Sequence, residues 1–293
     1  MAIEGIVLVD KPEGPTSHDV VAKIRKAFDT RKVGHAGTLD PMATGMLVIG
    51  IGRATRLLGY LTAHDKEYLA TMRLGIATDT DDATGEEISR ADASAITENG
   101  ILEVVRNFRG PISQQPSKIS AVKIDGRRAY ARVRDGEEIE IPSRDVIVQD
   151  LEILEIRSLP DSKLIDVDIR VVCSAGTYIR ALARDIGSEL NVGCHLTHLR
   201  RTRSGQFSKM TPLAQLQENP QLISLSDAVR MAFPESKISA EAASKARNGV
   251  RVMVPPDSPM GIVGVFDSNG EVISISETKD GELVPLVVFA ANE

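Results

Sequence analysis

A glycine-rich stretch, Gly34–Leu47, constrains the fold of this 293-residue chain more than any other segment; it reads Gly-His-Ala-Gly-Thr-Leu-Asp-Pro-Met-Ala-Thr-Gly-Met-Leu. Its glycines permit backbone conformations that a Cβ atom would block. Pro41 biases Asp40, the residue before it, away from the helical region. The stretch therefore predicts a short irregular loop that holds one carboxylate, Asp40, in a fixed place. A buried strand over Leu47–Ile51 is predicted to lead away from it.

Asp40 has no acidic neighbour within ten residues on either side. A glycosidase-type site divides the acid and base duties between two carboxylates. The local sequence therefore argues against a paired-carboxylate hydrolase site built from this loop alone.

The charge of the chain is unevenly distributed. The formal net charge is −6, which is unpromising for a nucleic-acid binder when it is taken as an average. Residues 76–103 carry eight acids and one base, residues 104–134 carry eight bases and one acid, and residues 170–203 carry six arginines and two acids. A polyanion would respond to the two basic segments, not to the mean charge.

Several classes of protein are disfavoured by composition. Two cysteines do not make a disulfide framework, and the N-terminus lacks a basic, apolar targeting segment. The apolar runs are too short to span a bilayer, so we expect a soluble cytoplasmic protein. There is no phosphate-binding Gly-x-x-x-x-Gly-Lys motif and no dinucleotide fingerprint, and we expect no cofactor. Adjacent Cys194 and His195, with Cys173 and His198, lack zinc-site spacing, so we expect no metal.

The Gly34–Leu47 stretch resembles the active-site motif of the TruB family, the bacterial tRNA pseudouridine-55 synthases. In that family the Asp of Gly-His-Ala-Gly-Thr-Leu-Asp-Pro is the catalytic residue, and Asp40 matches it. The strings Asp-Lys-Pro-x-Gly-x-Thr-Ser at residues 10–17, Lys-Glu-Tyr at 66–68 and Leu-Thr-His-Leu-Arg-Arg-Thr-Arg-x-Gly-x-Phe at 196–207 resemble further family motifs. The resemblance implies isomerisation of the uridine at position 55, in the TΨC loop of tRNA, to pseudouridine.

The resemblance implies three catalytic residues. Asp40 would act as the nucleophile, attacking either C6 of the base or C1′ of the sugar. Arg180 stands in the first turn of a helix, where the helix dipole disfavours a cation, so it is expected to have a carboxylate partner. The resemblance supplies Asp40, which Arg180 would keep charged. Tyr68 would lie against the flipped uracil and assist removal of a proton.

The resemblance also implies a set of RNA-contacting residues. His35 would fill the space of the flipped base, Leu199 would form an apolar wall, Tyr178 would offer its hydroxyl, and the basic insertion, about residues 106–135, would grip the RNA. The substrate-binding residues predicted in this way are Lys11, His35, Lys123, Arg128, Tyr178 and Leu199. The insertion departs from the family pattern at Ser117-Lys118, where a second proline and an aromatic residue are usual.

The expected architecture is an α+β fold, with a large mixed, mainly antiparallel sheet flanked by helices. A catalytic domain is predicted over residues 1–232 and a small PUA-like α+β module over 236–293, whose formal charge is −3. Ser17 is predicted to cap the first helix, and the acidic run 78–85 is interpreted as a turn because it lacks the spacing of a calcium loop. The expected partner is the T-arm of tRNA, bound by a monomer without a membrane or an obligatory protein partner.

Two other functions compete with the isomerase. A non-catalytic RNA-binding or chaperone protein would use the basic insertion and the C-terminal module, but it leaves the pairing of Asp40 with Arg180 unexplained. A carboxylate-dependent nucleoside hydrolase would share attack at an anomeric carbon, but it would require a second acid in the pocket.

Overall fold

The computed structural model of the protein describes residues 3–117, 123–124, 127–128 and 141–289, with the backbone alone for the two short middle ranges. The α-helices of the described part are α1 (Ser17–Ala27), α2 (Leu58–Thr62), α3 (Glu98–Asn107), α4 (Ile179–Glu189), α5 (Leu213–Glu218), α6 (Leu225–Ala232) and α7 (Ala240–Arg247). Short 3-10 helices cover Gly52–Leu57 and Pro160–Ser162. None of the described helices is long and apolar enough to cross a membrane.

Nineteen strands are described. They are β1 (Gly5–Lys11), β2 (Val33–Ala36), β3 (Thr44–Ile51), β4 (Lys66–Leu74), β5 (Ile76–Thr78), β6 (Glu87–Arg90), β7 (Gly110–Gln114), β8 (Lys123–Ile124), β9 (Arg127–Arg128), β10 (Arg144–Leu159), β11 (Leu164–Cys173), β12 (Cys194–Ser204), β13 (Thr211–Pro212), β14 (Ile223–Ser224), β15 (Glu235–Lys237), β16 (Val252–Met253), β17 (Gly261–Phe266), β18 (Val272–Lys279) and β19 (Glu282–Val288).

The main sheet has the strand order β13-β1-β3-β12-β4-β11-β10-β7, with β14 beside β1 and β2 beside β3. The pairs β1–β13 and β3–β12 are parallel, whereas the pairs that β4, β7, β10, β11 and β12 form with one another are antiparallel. The predicted fold class, α+β with a large mixed and mainly antiparallel sheet, is confirmed.

The chain divides into two compact units. The first comprises Met1–Leu39, Met46–Thr62 and Gly205–Glu293, and the second comprises Asp40–Gly45 and Ala63–Ser204. The loop that carries Asp40 is therefore grouped with the strands β4, β10, β11 and β12 and with helix α4.

The buried face of β4 shows how the second unit is assembled. Every other residue of β4 is buried, the pattern expected of a strand with one face on a core. β4 lies between β11 and β12, and the register places Tyr68 beside Val171 on one side and Arg201 on the other. Side chains from three adjacent strands thus meet on one face.

Helix α1, in the first unit, begins one residue earlier than the predicted cap implies. The Thr16 side chain accepts a hydrogen bond from the Asp19 backbone NH, and the Asp19 carboxylate accepts one from the Thr16 NH, which makes a capping box. The prediction of Ser17 as the cap was wrong. Ser17 is instead buried, and its hydroxyl accepts from Leu39 NH at 2.9 Å and donates to Leu39 O at 3.0 Å. It thereby fixes the residue directly before Asp40.

The C-terminal module is a five-stranded sheet, β15-β17-β18-β19-β16, that packs with α7 around a small apolar core. A second apolar cluster of the first unit combines residues from both ends of the chain. This cluster includes Ile6, Leu8, Val48, Phe207, Val229, Phe266, Val272, Ile275 and Phe289. The last strands of the chain therefore complete the hydrophobic core that the first strand begins.

Gly45 joins the Asp40 loop to the sheet at a point where only glycine fits. Its φ is +95°, and a Cβ atom added there would lie 2.2 Å from the carbonyl oxygen of Arg201, its partner on β12. The close approach of the two backbones is what allows the loop to run directly into strand β3.

Replacement of Gly45 by alanine is expected to lower the free energy of unfolding by at least ~2 kcal/mol, because the substitution combines a strained φ with a backbone clash. Urea unfolding followed by circular dichroism measures this change. Gly59→Ala, within α2, is the matched control because its added Cβ would meet no atom within 4 Å. The control should be neutral or stabilising by ~0.5–1 kcal/mol. A Gly45→Ala protein as stable as the wild type would contradict the prediction.

Candidate active site

Asp40 lies at the start of a tight turn. The Ala43 NH donates to the Asp40 carbonyl at 3.1 Å, and Thr44 then enters β3 in parallel register with Arg200. The Asp40 side chain keeps 34% of its surface exposed. The loop therefore holds a carboxylate that is fixed at its backbone and still open to a ligand, as the sequence predicts.

Arg180 is the second residue of α4, and its side chain is only 5% exposed. Its Nη2 lies 2.9 Å from Asp40 Oδ2, its Nη1 donates to Thr80 O at 2.6 Å, and the same Nη1 lies 3.4 Å from Asp82 Oδ2. The structure thus brings Asp40 and Arg180 together. One guanidinium connects the Asp40 loop with the turn at Thr80–Asp82.

The second carboxylate on Arg180, that of Asp82, escaped the sequence analysis, which treated the acidic run as a turn. The Asp82 side chain is 5% exposed. Its Oδ1 accepts hydrogen bonds from the Thr84 NH, the Thr84 hydroxyl and the Thr80 hydroxyl at 2.9, 2.6 and 2.9 Å. The poor match between Arg180 and the positive end of its helix indicates an anionic partner, but it gives no reason to expect two.

Tyr68 projects from the buried face of β4. Burial raises the pKa of the Tyr68 phenol, and the nearby Asp40 charge acts in the same direction, against the Arg201 guanidinium, which is hydrogen-bonded to the phenol. Tyr68 is therefore a protonated phenol at neutral pH. Arg201, itself buried, is a further polar contact in this site that the sequence analysis did not single out.

Tyr178 and Leu199 also lie in the second unit. Tyr178 is the N-cap residue of α4, and its backbone is held by Gln114, whose Oε1 accepts from Tyr178 NH at 2.7 Å and whose Nε2 donates to Tyr178 O at 3.0 Å. The Arg144 guanidinium lies over the Tyr178 ring, 5.3 Å from its centroid. Burial raises the pKa of Tyr178, and the Asp40 charge contributes. Leu199 is buried on β12 opposite Ala70.

The other predicted substrate-binding residues lie elsewhere in the chain. Lys11 ends β1 in the first unit, is fully buried, and donates from Nζ to Pro12 O at 2.9 Å. His35 is on β2 in the same unit, with its ring edge-to-face to His18 at a centroid distance of 5.4 Å. The backbones of Lys123 and Arg128 pair with each other where β8 lies beside β9, and their side chains lie outside the described residues, as do residues 118–122, 125–126 and 129–135 of the predicted insertion.

The arginines of residues 170–203 are largely engaged within the protein. Arg170 binds Asp150, Glu152 and Glu67, and Arg203 binds Asp65 at 3.0 Å. Counting bases had suggested that this segment faces a polyanion. Instead, several of its guanidinium groups neutralise carboxylates on neighbouring strands.

Lys66 is a buried cation two residues before Tyr68 on the same face of β4. Burial, together with the positive charge of Arg201, lowers the pKa of Lys66 from 10.5 to about 8. The sheet face that carries Tyr68 therefore holds two buried cationic side chains, Lys66 and Arg201. A further positive charge on this face would be unfavourable.

The arrangement around Asp40 suits nucleophilic chemistry. A partly exposed carboxylate is paired with a buried guanidinium, and protonated tyrosines and an apolar side chain lie in the same unit. No group of three or more His, Cys, Asp or Glu side chains in the described ranges is arranged to hold a metal ion.

Comparison with known proteins gives a consistent result. The chain matches the model of the TruB family pseudouridylate synthase N-terminal domain over residues 25–179, and that of the tRNA pseudouridylate synthase B C-terminal domain over residues 180–228. A tRNA pseudouridine synthase B of Corynebacterium glutamicum (strain R) is 50% identical over 291 residues, which cover 98% of this chain and 97% of the relative. The protein of the same name from Thermobifida fusca is 48% identical and covers 99% of both chains.

Solved structures share the fold. A chain in the structure of an H/ACA RNP bound to a substrate RNA containing 2′-deoxyuridine superposes with a TM-score of 0.73 at 28% identity, covering 99% of this chain and 86% of that one. A chain of a Cbf5-Nop10-Gar1 complex has the same TM-score at 29% identity, covering 97% and 84%. The fold is that of a pseudouridylate synthase. Among these enzymes, the chain belongs to the TruB family.

The buried ammonium of Lys66 predicts a specific dependence of stability on pH. Because the pKa of Lys66 is about 8 in the folded chain and 10.5 ordinarily, the unfolded chain binds more protons between those values. Lys66 therefore contributes an increase of up to ~3 kcal/mol in the free energy of unfolding across that range. The buried thiols of Cys173 and Cys194, whose pKa values burial raises, act in the opposite direction above their ordinary value of 9.0.

Urea unfolding at a series of pH values from 7.5 to 10.5 tests this dependence. The stability of the wild type relative to Lys66→Met should rise by up to ~3 kcal/mol over this range, whereas its stability relative to Lys279→Met, changed at an exposed position, should stay constant. If the free energies of unfolding of the wild type and Lys66→Met change equally over this range, the pKa of Lys66 is not depressed.

Proposed function

We propose that this protein converts the uridine at position 55 of tRNA to pseudouridine, and that Asp40 is the nucleophile. The reaction breaks the bond from N1 of the base to the ribose and forms a carbon–carbon bond at C5 of the same base. It has no net redox change and requires no energy source, so no cofactor enters the proposal. The names of the relatives, tRNA pseudouridine synthase B, support the choice of tRNA as the substrate.

The observation that carries the proposal is the contact of Arg180 Nη2 with Asp40 Oδ2 at 2.9 Å. The guanidinium is buried, whereas the carboxylate side chain is one-third exposed. A nucleophile needs this combination: a fixed charge with one oxygen free to approach carbon.

The same geometry argues against a nucleoside hydrolase. Such an enzyme needs a second carboxyl group that can activate water or protonate a leaving group. Asp82 is the nearest candidate by its shared partner Arg180, but its Oδ1 accepts three hydrogen bonds from Thr80 and Thr84, and Oδ2 faces Arg180. Asp82 holds Arg180 in place and is not offered to a substrate.

The remaining site residues receive roles that fit their environments. Tyr68, a phenol at neutral pH, would lie against the everted uracil and act as a hydrogen-bond donor before it assists proton removal. Leu199 would form the apolar wall, and Tyr178 would offer its hydroxyl. Extraction of a stacked nucleotide costs a few kcal/mol, and we propose that His35 fills the vacated space and that Lys11 supports the catalytic loop.

The basic insertion is proposed as the main RNA-binding surface. Residues 118–134 carry six bases and one acid, whereas Arg170 and Arg203 are already paired with carboxylates. The catalytic domain is proposed to span residues 1–232. The module of residues 236–293, with a formal charge of −3, would contribute little affinity for phosphates.

We further propose that the protein acts as a monomer on the T-arm of tRNA in the cytoplasm, without an obligatory protein partner. Single-stranded loops present splayed bases to proteins, and the T loop is such a target.

Asp40→Asn should retain tRNA affinity within about threefold and lose at least ~10³ in turnover, because the amide keeps the shape and loses the nucleophilic charge. Release of tritium from tRNA labelled at C5 of uridine measures turnover, since only isomerisation frees that hydrogen while the base is retained. Filter binding measures affinity.

Asp161→Asn, on an exposed 3-10 turn, is the matched control and should behave as wild type. An Asp40→Asn enzyme that turns over within tenfold of wild type would refute the nucleophile assignment.

The salt dependence of tRNA binding should depend on the insertion. Neutralising Lys123 and Arg128 together, each to Gln, should reduce the slope of log K against log salt by about 1.4–1.8, since each lost phosphate contact removes about 0.7–0.9. Arg170→Gln is the matched control, because Arg170 already binds three carboxylates. Equal slopes for the double variant and the wild type would remove the insertion from the RNA surface.

A further inference from the structure

A second buried polar cluster lies beside the Arg180 site, around Asp81. Ser117 Oγ donates to Asp81 Oδ2 at 2.6 Å, and Arg184 Nη1 lies 3.2 Å from the same oxygen. Arg184 Nη2 also donates to Gln115 O at 2.7 Å. Three separate parts of the second unit therefore meet at one carboxylate: the turn after β5, the segment that follows β7, and helix α4.

This cluster is unlike a surface ion pair. Ser117 is fully buried and Asp81 nearly so. Burial raises the pKa of the Asp81 carboxyl, and the Ser117 hydroxyl and the Arg184 charge oppose that rise. A buried carboxylate is tolerated when its hydrogen bonds are satisfied. Removal of one hydrogen-bond partner therefore costs more free energy here than it would in a surface ion pair.

The Asp81 backbone is fixed as well. Its φ is +59°, in the left-handed region, and its carbonyl accepts a hydrogen bond from Leu196 NH at 3.1 Å. Asp81 is therefore held by β12 in a conformation that most residues avoid. It can serve as a rigid point to which the Gln115–Ser117 segment is attached.

The positions of Ser117 and Asp81 in the sequence show which parts of the chain the cluster connects. Ser117 directly precedes residues 118–134, which carry six bases and one acid. On the other side of the cluster, Asp81 stands between Thr80 and Asp82, both of which contact Arg180. The cluster thus ties the start of the basic segment to the turn that supports Arg180.

We propose that Ser117 is a positioning residue for RNA binding: its hydrogen bond to Asp81, with Arg184 as the second tie, fixes the start of the basic segment so that its cations meet the phosphates of the substrate. The inference rests on the proposed function, because the polyanion in question is the RNA that reacts at Asp40. Arg180 keeps its own contacts to Thr80 O and Asp82, so loss of Ser117 weakens binding and leaves the chemical step unaltered.

The test compares Ser117→Ala with Ser113→Ala, an exposed serine on β7. Ser117→Ala should raise the KM and the Kd for tRNA about tenfold, as expected for the loss of a hydrogen bond to a charged group, and should keep kcat within about twofold. It should also flatten the salt dependence of the Kd. Ser113→Ala should change none of these.

Arg184→Gln, a second variant that removes the tie to Gln115 and keeps Ser117, should show the same rise in KM and Kd. Thermal unfolding of each variant confirms that folded protein is compared. An unchanged Kd and salt slope in both variants would overturn the inference, as would a fall in kcat at constant KM. The Kd does not depend on turnover, so a wild-type protein that releases no tritium would refute the proposed function while the Kd comparison still decides the role of Ser117.

Discussion

The guanidinium of Arg180, held between Asp40 and Asp82, is the contact on which the rest of the site depends. It is buried and charged, so it can exist only with anionic partners close by. Asp82 is fully engaged and inaccessible, whereas Asp40 is partly exposed. The same cation therefore has one structural partner and one partner left available for chemistry. If Asp40 were the only carboxylate at Arg180, the same group would have to neutralise the buried guanidinium and also react with a substrate.

The sheet supplies the precision that this arrangement needs. Side chains on alternate residues of one strand point to the same face, so a fixed register fixes which groups share a site. Tyr68 and Arg201 are register partners on β4 and β12, and Leu199 lies two residues from Arg201 on the same strand. Arg180 comes from α4, whose first turn is anchored by the amide of Gln114. Each group is thus positioned by backbone hydrogen bonds, not by a loop alone.

Much of the fold and part of the site could be predicted from the sequence. Periodicity and glycine content located the strands and the Asp40 loop, because those signals are local. Asp82 could not be found in this way, since the Thr80 and Asp82 contacts join Arg180 to a turn 100 residues away in sequence. Charge counting failed for Arg170, because composition records a cation and not the carboxylates that neutralise it. The sequence offers no reason for the departure from the family pattern at Ser117. In the structure, the Ser117 hydroxyl donates a hydrogen bond to the buried carboxylate of Asp81.

The apolar cluster shared by the two ends of the chain has a consequence for how the protein is made. Ile6 is synthesised long before Phe289, yet both belong to one core. The second unit is translated entirely before residue 205, so it can acquire its internal contacts while synthesis continues. The apolar side chains of β1 stay partly uncovered until the residues from Phe266 to Phe289 have been synthesised. A nascent chain of this protein can thus form the ion pair of Asp40 with Arg180 before its hydrophobic core is complete.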